Sequence, residues 1–156
     1  MGCDIHSRAQ KQEGGKWVDL PFKPFDWRSY GMYGFLADVR NYSAVPPISP
    51  ARGLPEDIVR PEPNFYGEYD DHLDLGDHSF SWLTVAELLA FDYDQPVEDR
   101  RVTRQIAHNL TSGAVTAEPG EGEMTTYRAF LGQGFFDDLQ KLKDIGAERV
   151  VFGFDS

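Results

Sequence analysis

The stretch Glu148-Arg149-Val150-Val151-Phe152-Gly153-Phe154 decides the fold class. Its side chains alternate so that Val150, Phe152 and Phe154 share one face of a strand. Just before it, Phe135, Leu139, Leu142 and Ile145 recur at the spacing of an amphipathic helix, with Gly146 as the stop. At the other end, Cys3 to about Gln12 reads as a strand, Glu13-Gly14-Gly15 as a turn and Lys16 to Leu20 as a second short strand, ended by Pro21 and Pro24. The expected architecture is α+β: mainly antiparallel, both terminal strands in one sheet, helices packed on one side.

Between these ends the signals weaken. Trp27 to Arg40 places Tyr30, Tyr33, Leu36 and Ala37 at helical spacing, although Gly31 and Gly34 each cost a helix about 1 kcal/mol and suit close approach of another group. Residues 41–81 hold six of the ten prolines and form an irregular stretch, within which Leu54 to Arg60 reads as a short helix with Pro55 in its first turn. Thr84-Val85-Ala86-Glu87 is a capping box that starts a helix running to about Phe91. A helix is the reading for Asp99 to Asn109, and Glu118 to Glu123 reads as a Gly/Glu-rich loop.

With 156 residues, 40% of them hydrophobic, the expectation is one domain over 1–156 with a core of its own. The net charge of -11 opposes duplex nucleic acid and anionic membrane surfaces. A single cysteine rules out an internal disulfide, and no apolar run reaches the roughly 18 residues of a spanning helix, so the expected location is the cytoplasm. Cys3 reads as a small buried residue.

Three groups of residues carry chemistry. Asp4 and His6, two apart on a strand, share a face and with His78 could form an acid–base set; with Asp77 added, the four are candidate ligands for a divalent metal. Asp70-Asp71-His72-Leu73-Asp74 adds further acids and an imidazole, in a spacing that matches no established ligand motif. Ser79 next to His78 is not read as a nucleophile, since neighbours on a strand point apart and no GxSxG turn surrounds it. Arg40-Asn41-Tyr42 and Arg52-Gly53-Leu54-Pro55 combine forked cations, an amide and an aromatic ring, the groups that hold phosphates and stack on a base. A pocket collecting Arg28, Arg40, Arg52 and Arg60 would hold a small anion; the competing reading pins those arginines to the chain's own carboxylates.

Across nearly its whole length the chain resembles a family of small bacteriophage and prophage proteins. The resemblance rests on Met1-Gly2-Cys3-Asp4-Ile5-His6, on Arg28 and Tyr30, on Val39-Arg40-Asn41 and on Arg52-Gly53-Leu54-Pro55. It continues through His78, Ser79, Ser81, Trp82, Leu83 and Thr84 to Val151, Phe152, Phe154 and Asp155. It implies phage origin and one α+β domain, and brings no assigned activity. The expectation that follows is an accessory protein binding a small anionic ligand, a nucleotide-derived host-defence signal. Arg28, Arg40 and Arg52 would meet the anion, Tyr30 or Trp82 would stack, and Asn41, His78 and Ser79 would complete the site. The alternatives are a metal-dependent hydrolase using Asp4, His6 and His78 with Asp77, and an acidic inhibitor of a host protein. Any of these allows an oligomer.

Overall fold

The computed structural model describes residues 2–58, 65–66, 75–106 and 111–156. In chain order the elements are β1 (Asp4–Glu13), β2 (Lys16–Asp19), α1 (Tyr30–Ala37), β3 (His78–Thr84), α2 (Val85–Ala90) and β4 (Pro96–Asp99). They continue with β5 (Arg101–Ile106), β6 (Thr111–Thr116), β7 (Glu123–Thr126), α3 (Tyr127–Leu131), α4 (Gln133–Asp144) and β8 (Arg149–Asp155). The class is α+β, and among the described residues every strand pair is antiparallel. Among the described residues no helix is long and apolar enough to cross a membrane.

The chain forms two compact units, each assembled from separated stretches. The first takes Met1–Arg28, Ala51–Phe91 and Gly134–Ser156. Its sheet has the order β2-β1-β8-β3, so both terminal strands lie in one sheet, as expected, and there they are neighbours. The hairpin turn is Gly14-Gly15, both at positive φ, the geometry that matches the twist of the flanking strands. β8 is the central strand and is buried along Arg149 to Phe154. Ile5 opposes Phe154, Ala9 opposes Val150, and Leu83 on β3 opposes Val150 from the other side. These buried side chains form the apolar face of the sheet. Thr84 caps α2 with the full reciprocal box, its hydroxyl accepting from the Glu87 amide. α4 buries Phe135, Leu139 and Leu142, and Phe25 stacks on Phe135 at 4.8 Å. At its end Ala147 N–H reaches Leu142 and Gly146 N–H reaches Lys143, a Schellman stop that needs the positive φ of Gly146.

The second unit comprises Ser29–Pro50 and Asp92–Gln133. It holds α1, α3 and two hairpin-like pairs, β4 with β7 and β5 with β6. Phe35 packs at 5.9 Å from Tyr93 and 5.4 Å from Tyr127, giving this unit an aromatic core. Both helical glycines meet close neighbours: a Cβ at Gly31 would stand 2.8 Å from the Phe130 ring, and one at Gly34 would collide with Asn41.

The structure corrects three readings. The helix expected over Asp99 to Asn109 is strand as far as Ile106, with Arg101 opposite Thr116 and Val102 opposite Val115. The β-branched partner segment Thr111–Thr116 gives this polar stretch a ladder, and it has no apolar stripe with which to bury a helix. The short helix expected over Leu54 to Arg60 is a single turn closed by Ile58 N–H to Pro55 O at 3.2 Å; Val59 and Arg60 lie outside the described residues. The irregular stretch expected over 41–81 ends earlier, because β3 begins at His78. Asp70, Asp71, His72 and Asp74 also lie outside the described residues.

Candidate functional site

In the first unit β1 does place Asp4 and His6 on one face, but each has a partner elsewhere. The Asp4 carboxylate receives both Nε and Nη2 of Arg28, at 3.0 and 2.9 Å. That fork holds the Asp4 carboxyl below its usual range. His6 Nε2 lies 2.5 Å from Asp155 Oδ2. His6 stands opposite Gly153 and His78 opposite Phe154, adjacent positions of β8 whose faces are opposite. Asp4 and His6 are therefore on one side of the sheet and His78 is on the other. Asp77 Oδ1 is 4.0 Å from His78 Nε2. Among the described residues no three histidine, cysteine, aspartate or glutamate side chains gather as a metal centre.

His78 and Ser79 behave differently from the alternation rule. A bulge between His78 and Ser81 inserts one residue, and Ser79 takes φ 57°. That left-handed turn brings the Ser79 hydroxyl to 2.9 Å from His78 Nδ1, while Nε2 lies 2.7 Å from the Ser156 hydroxyl. The expectation that the two side chains point apart fails for this reason.

Arg52 and Trp82 do meet. The guanidinium lies 4.7 Å over the indole, and its Nη1 donates to Trp82 O at 3.1 Å. It also forks onto Glu87, at 2.5 and 2.8 Å. The contact with Arg52 depresses the Glu87 carboxyl and raises Arg52 in return. Arg28 and Arg52 thus follow the reading in which arginines are pinned to the chain's own carboxylates.

Tyr30, Arg40 and Asn41 belong to the second unit. Asn41 Nδ2 donates to Asp38 Oδ1 and to Val45 O, both at 2.8 Å, and its Oδ1 accepts from Val45 N at 3.2 Å. This amide brackets a turn in which Asp38, Arg40 and Ala44 all have positive φ, a concentration of strain that surrounding contacts must support. The turn carries Ser43 to the wall of a cavity of about 350 Å³.

That cavity is built at the start of α1, where Ser29 is the N-cap and Gly31 lies in the first turn. Its walls include Ser43, Asp99, Arg101, Glu123 and Phe130. Ser43 is only 3% exposed, and its hydroxyl has no hydrogen-bond partner among the described residues. No fully buried polar side-chain atom among them lacks a partner, so this hydroxyl keeps some exposure, and Ser43 lines the cavity. The first-turn amides of α1 carry the positive end of its dipole, and no acidic side chain sits there to neutralise it. The Arg101 guanidinium lies 5.9 Å from the ring centres of Tyr30 and of Tyr42 and makes no ion pair among the described residues. Arg40 lies 5.7 Å over Tyr30. Donors therefore line one part of the cavity. Asp99 and Glu123, directly opposite across β4 and β7, add acceptors, with Asp99 Oδ1 already receiving the Arg101 amide at 3.0 Å.

Of the residues nominated from sequence, only Tyr30, Arg40 and Asn41 belong to this neighbourhood. Arg101, Asp99 and Glu123 were missed because 96–123 showed no periodicity strong enough to place them, and Ser43 because it lies in the stretch 41–81, read as irregular. The available signal was the β-branched content of Val102, Thr103, Val115 and Thr116, which favours paired strands. Comparison with protein-family models, with curated proteins and with solved structures finds no match to this chain.

Proposed function

We propose that this protein binds a small ligand with an anionic group in the cavity at the start of α1. The observation that carries the reading is the Ser43 hydroxyl, which has no partner among the described residues and belongs to a residue that lines the same cavity as Arg101. An oxyanion there would accept from Ser43, from the exposed amides of α1 and from the Arg101 guanidinium. Asp99 and Glu123 would repel a ligand that is anionic throughout, and they match one that presents N–H donors at its other end. A nucleotide has both ends and a flat base for aromatic contact with Phe130 or the tyrosines. The net charge of -11 favours such a small ligand over a polyanion. In the biological reading that goes with this chemistry, the protein is a phage accessory factor that captures a nucleotide-derived defence signal in the host cytoplasm.

The test incubates the full chain with a panel of linear and cyclic nucleotides and analyses bound and free fractions by mass spectrometry. The expected result is at least one nucleotide retained intact, with affinity reduced about tenfold or more in Arg101→Ala, the worth of one charge-assisted hydrogen bond. Retention of none, or equal retention by Arg101→Ala, overturns the proposal. Consumption of a nucleotide would make the protein an enzyme and turn attention to the His78–Ser79 bulge.

A further inference from the structure

The bulge in β3 carries a serine where the backbone suits glycine. Ser79 takes φ 57°, a left-handed conformation that glycine adopts freely and most side chains only under strain. What serine adds over glycine there is a hydroxyl, and that hydroxyl lies 2.9 Å from Nδ1 of His78. Backbone strain of this kind clusters at active sites. Here it falls on a residue of nucleophilic type beside a base.

The imidazole is fixed from several sides. Its ring stacks on that of the buried Phe154, with centres 6.3 Å apart and planes 26° from parallel. Nε2 lies 2.7 Å from the Ser156 hydroxyl and 4.0 Å from Asp77 Oδ1. The carboxylate favours the ring proton at Nε2, where it is donated to Ser156, and the lone pair of Nδ1 is left to accept from Ser79. The segment is also clamped onto β8. Asp77 N–H donates to Phe154 O at 2.8 Å, and a Cβ at Gly76 would collide with that same oxygen. Phe80, the other residue of the bulge, lays its ring over Gly153, where a Cβ would stand 2.7 Å from it. His78 and Ser79 are half-buried, and 38% of the His78 side chain is exposed, so a substrate can reach the pair.

We propose that Ser79 is a nucleophile and His78 its general base, in acyl transfer from small uncharged esters to water. Ser79 Oγ attacks the ester carbonyl carbon while its proton passes to His78 Nδ1. The bond from that carbon to the leaving oxygen then breaks, and the alcohol departs with the same proton. Water attacks the acyl group on Ser79, passing a proton through His78, and the carboxylic acid leaves as the hydroxyl is restored. Asp77 beside the ring repels an anionic substrate, and the open setting of the pair suits a small acyl group. The site lies in the first unit and does not depend on the ligand proposed for the α1 cavity.

The experiment treats the full chain with an alkyl fluorophosphonate, whose phosphorus bonds to a serine oxygen as fluoride leaves, and locates the adduct by peptide mass spectrometry. The expected adduct is on Ser79, formed at least about 100-fold faster than on the same chain unfolded in urea, the lower end of what a positioned base contributes. Ser79→Gly, which relieves the positive φ, should stay folded and lose both the adduct and the turnover of p-nitrophenyl acetate. His78→Gln should slow the labelling of Ser79 by a similar factor. No adduct on Ser79, a rate unchanged by unfolding or by His78→Gln, or ester turnover retained by Ser79→Gly overturns the proposal. The comparison of folded with unfolded chain needs no substitution, so the test decides whether or not a variant folds.

Discussion

The arginines of the two units have different partners. In the first unit Arg28, Arg52 and Arg149 each reach a carboxylate of the chain: Asp4, Glu87 and Asp57. In the second, Arg128 forks onto Asp94 in the same manner, at 2.7 and 3.2 Å, but Arg101 lies among tyrosines in a cavity and has no ion pair among the described residues. With 26 acids for 15 bases, an arginine finds an internal partner by default. Arg100 instead donates to the backbone oxygen of Ala117, so among these Arg101 is the more informative about ligands. Arg149 is the most buried of these, held through Nε by Gln10 and through Nη2 by Asp57.

The sharpest test of this contrast compares Arg149→Ala with Arg101→Ala in denaturant unfolding. Loss of Arg149 strands the Gln10 amide oxygen and removes the stacking on Trp17 and the link to Asp57. The expected cost is about 2–3 kcal/mol, below that of a fully buried pair because Asp57 is half exposed. Arg101→Ala should leave stability within about 0.5 kcal/mol, as for a surface position, while lowering ligand affinity about tenfold or more. Equal costs for the two variants would erase the distinction between structural and available arginines.

Ser43→Ala sharpens the same point with a smaller change. The hydroxyl satisfies no group of the protein, so its removal should leave the unfolding midpoint unchanged or slightly raised. Ligand affinity should fall by about 1 kcal/mol, the net worth of one neutral hydrogen bond. A clear loss of stability would show that the hydroxyl serves the fold.

How much of this was legible beforehand follows from the kind of interaction involved. The terminal strands, the hairpin, the Thr84 capping box and the Gly146 stop are written in local spacing, and the structure reproduces them. The antiparallel α+β class rests on those same signals. In the second unit α1 was legible but the strands were not, because β4 to β7 are short and polar and gain their ladders only from each other. The candidate site fared worse for a related reason. Residue types showed that arginines could meet an anion, but which arginine keeps free donors depends on where the acids fall in three dimensions. Arg52 and Glu87 are 35 positions apart and no periodicity joins them. Ser79 shows the same limit on a smaller scale, since one bulge residue reversed the direction of its side chain.

The smallest effect concerns the pinned pair Arg52–Glu87, and pH isolates it. Glu87 is held below its ordinary value of 4.5, first by the hydrogen bond from Arg52 and then, after a partial offset from burial, by the Thr84 amide. A carboxyl whose folded pKa is depressed stabilises the fold fully above its unfolded value. That contribution disappears as the pH falls through the folded value, when the proton replaces the arginine. Glu87→Gln removes the charge yet keeps a residue that completes the capping box. At neutral pH the variant should therefore unfold more easily by a few tenths to about 1 kcal/mol, the range of a half-exposed pair. Below pH 4.5 the gap between the two proteins should close, because Asp4, Asp94 and Glu98, also depressed, are common to both and cancel. Ligand retention should be the same in both proteins throughout, since the partner of Arg52 is already part of the chain. A gap that stays constant with pH would mean that Glu87 acts through packing and capping alone, and that the ion pair with Arg52 contributes nothing to the fold.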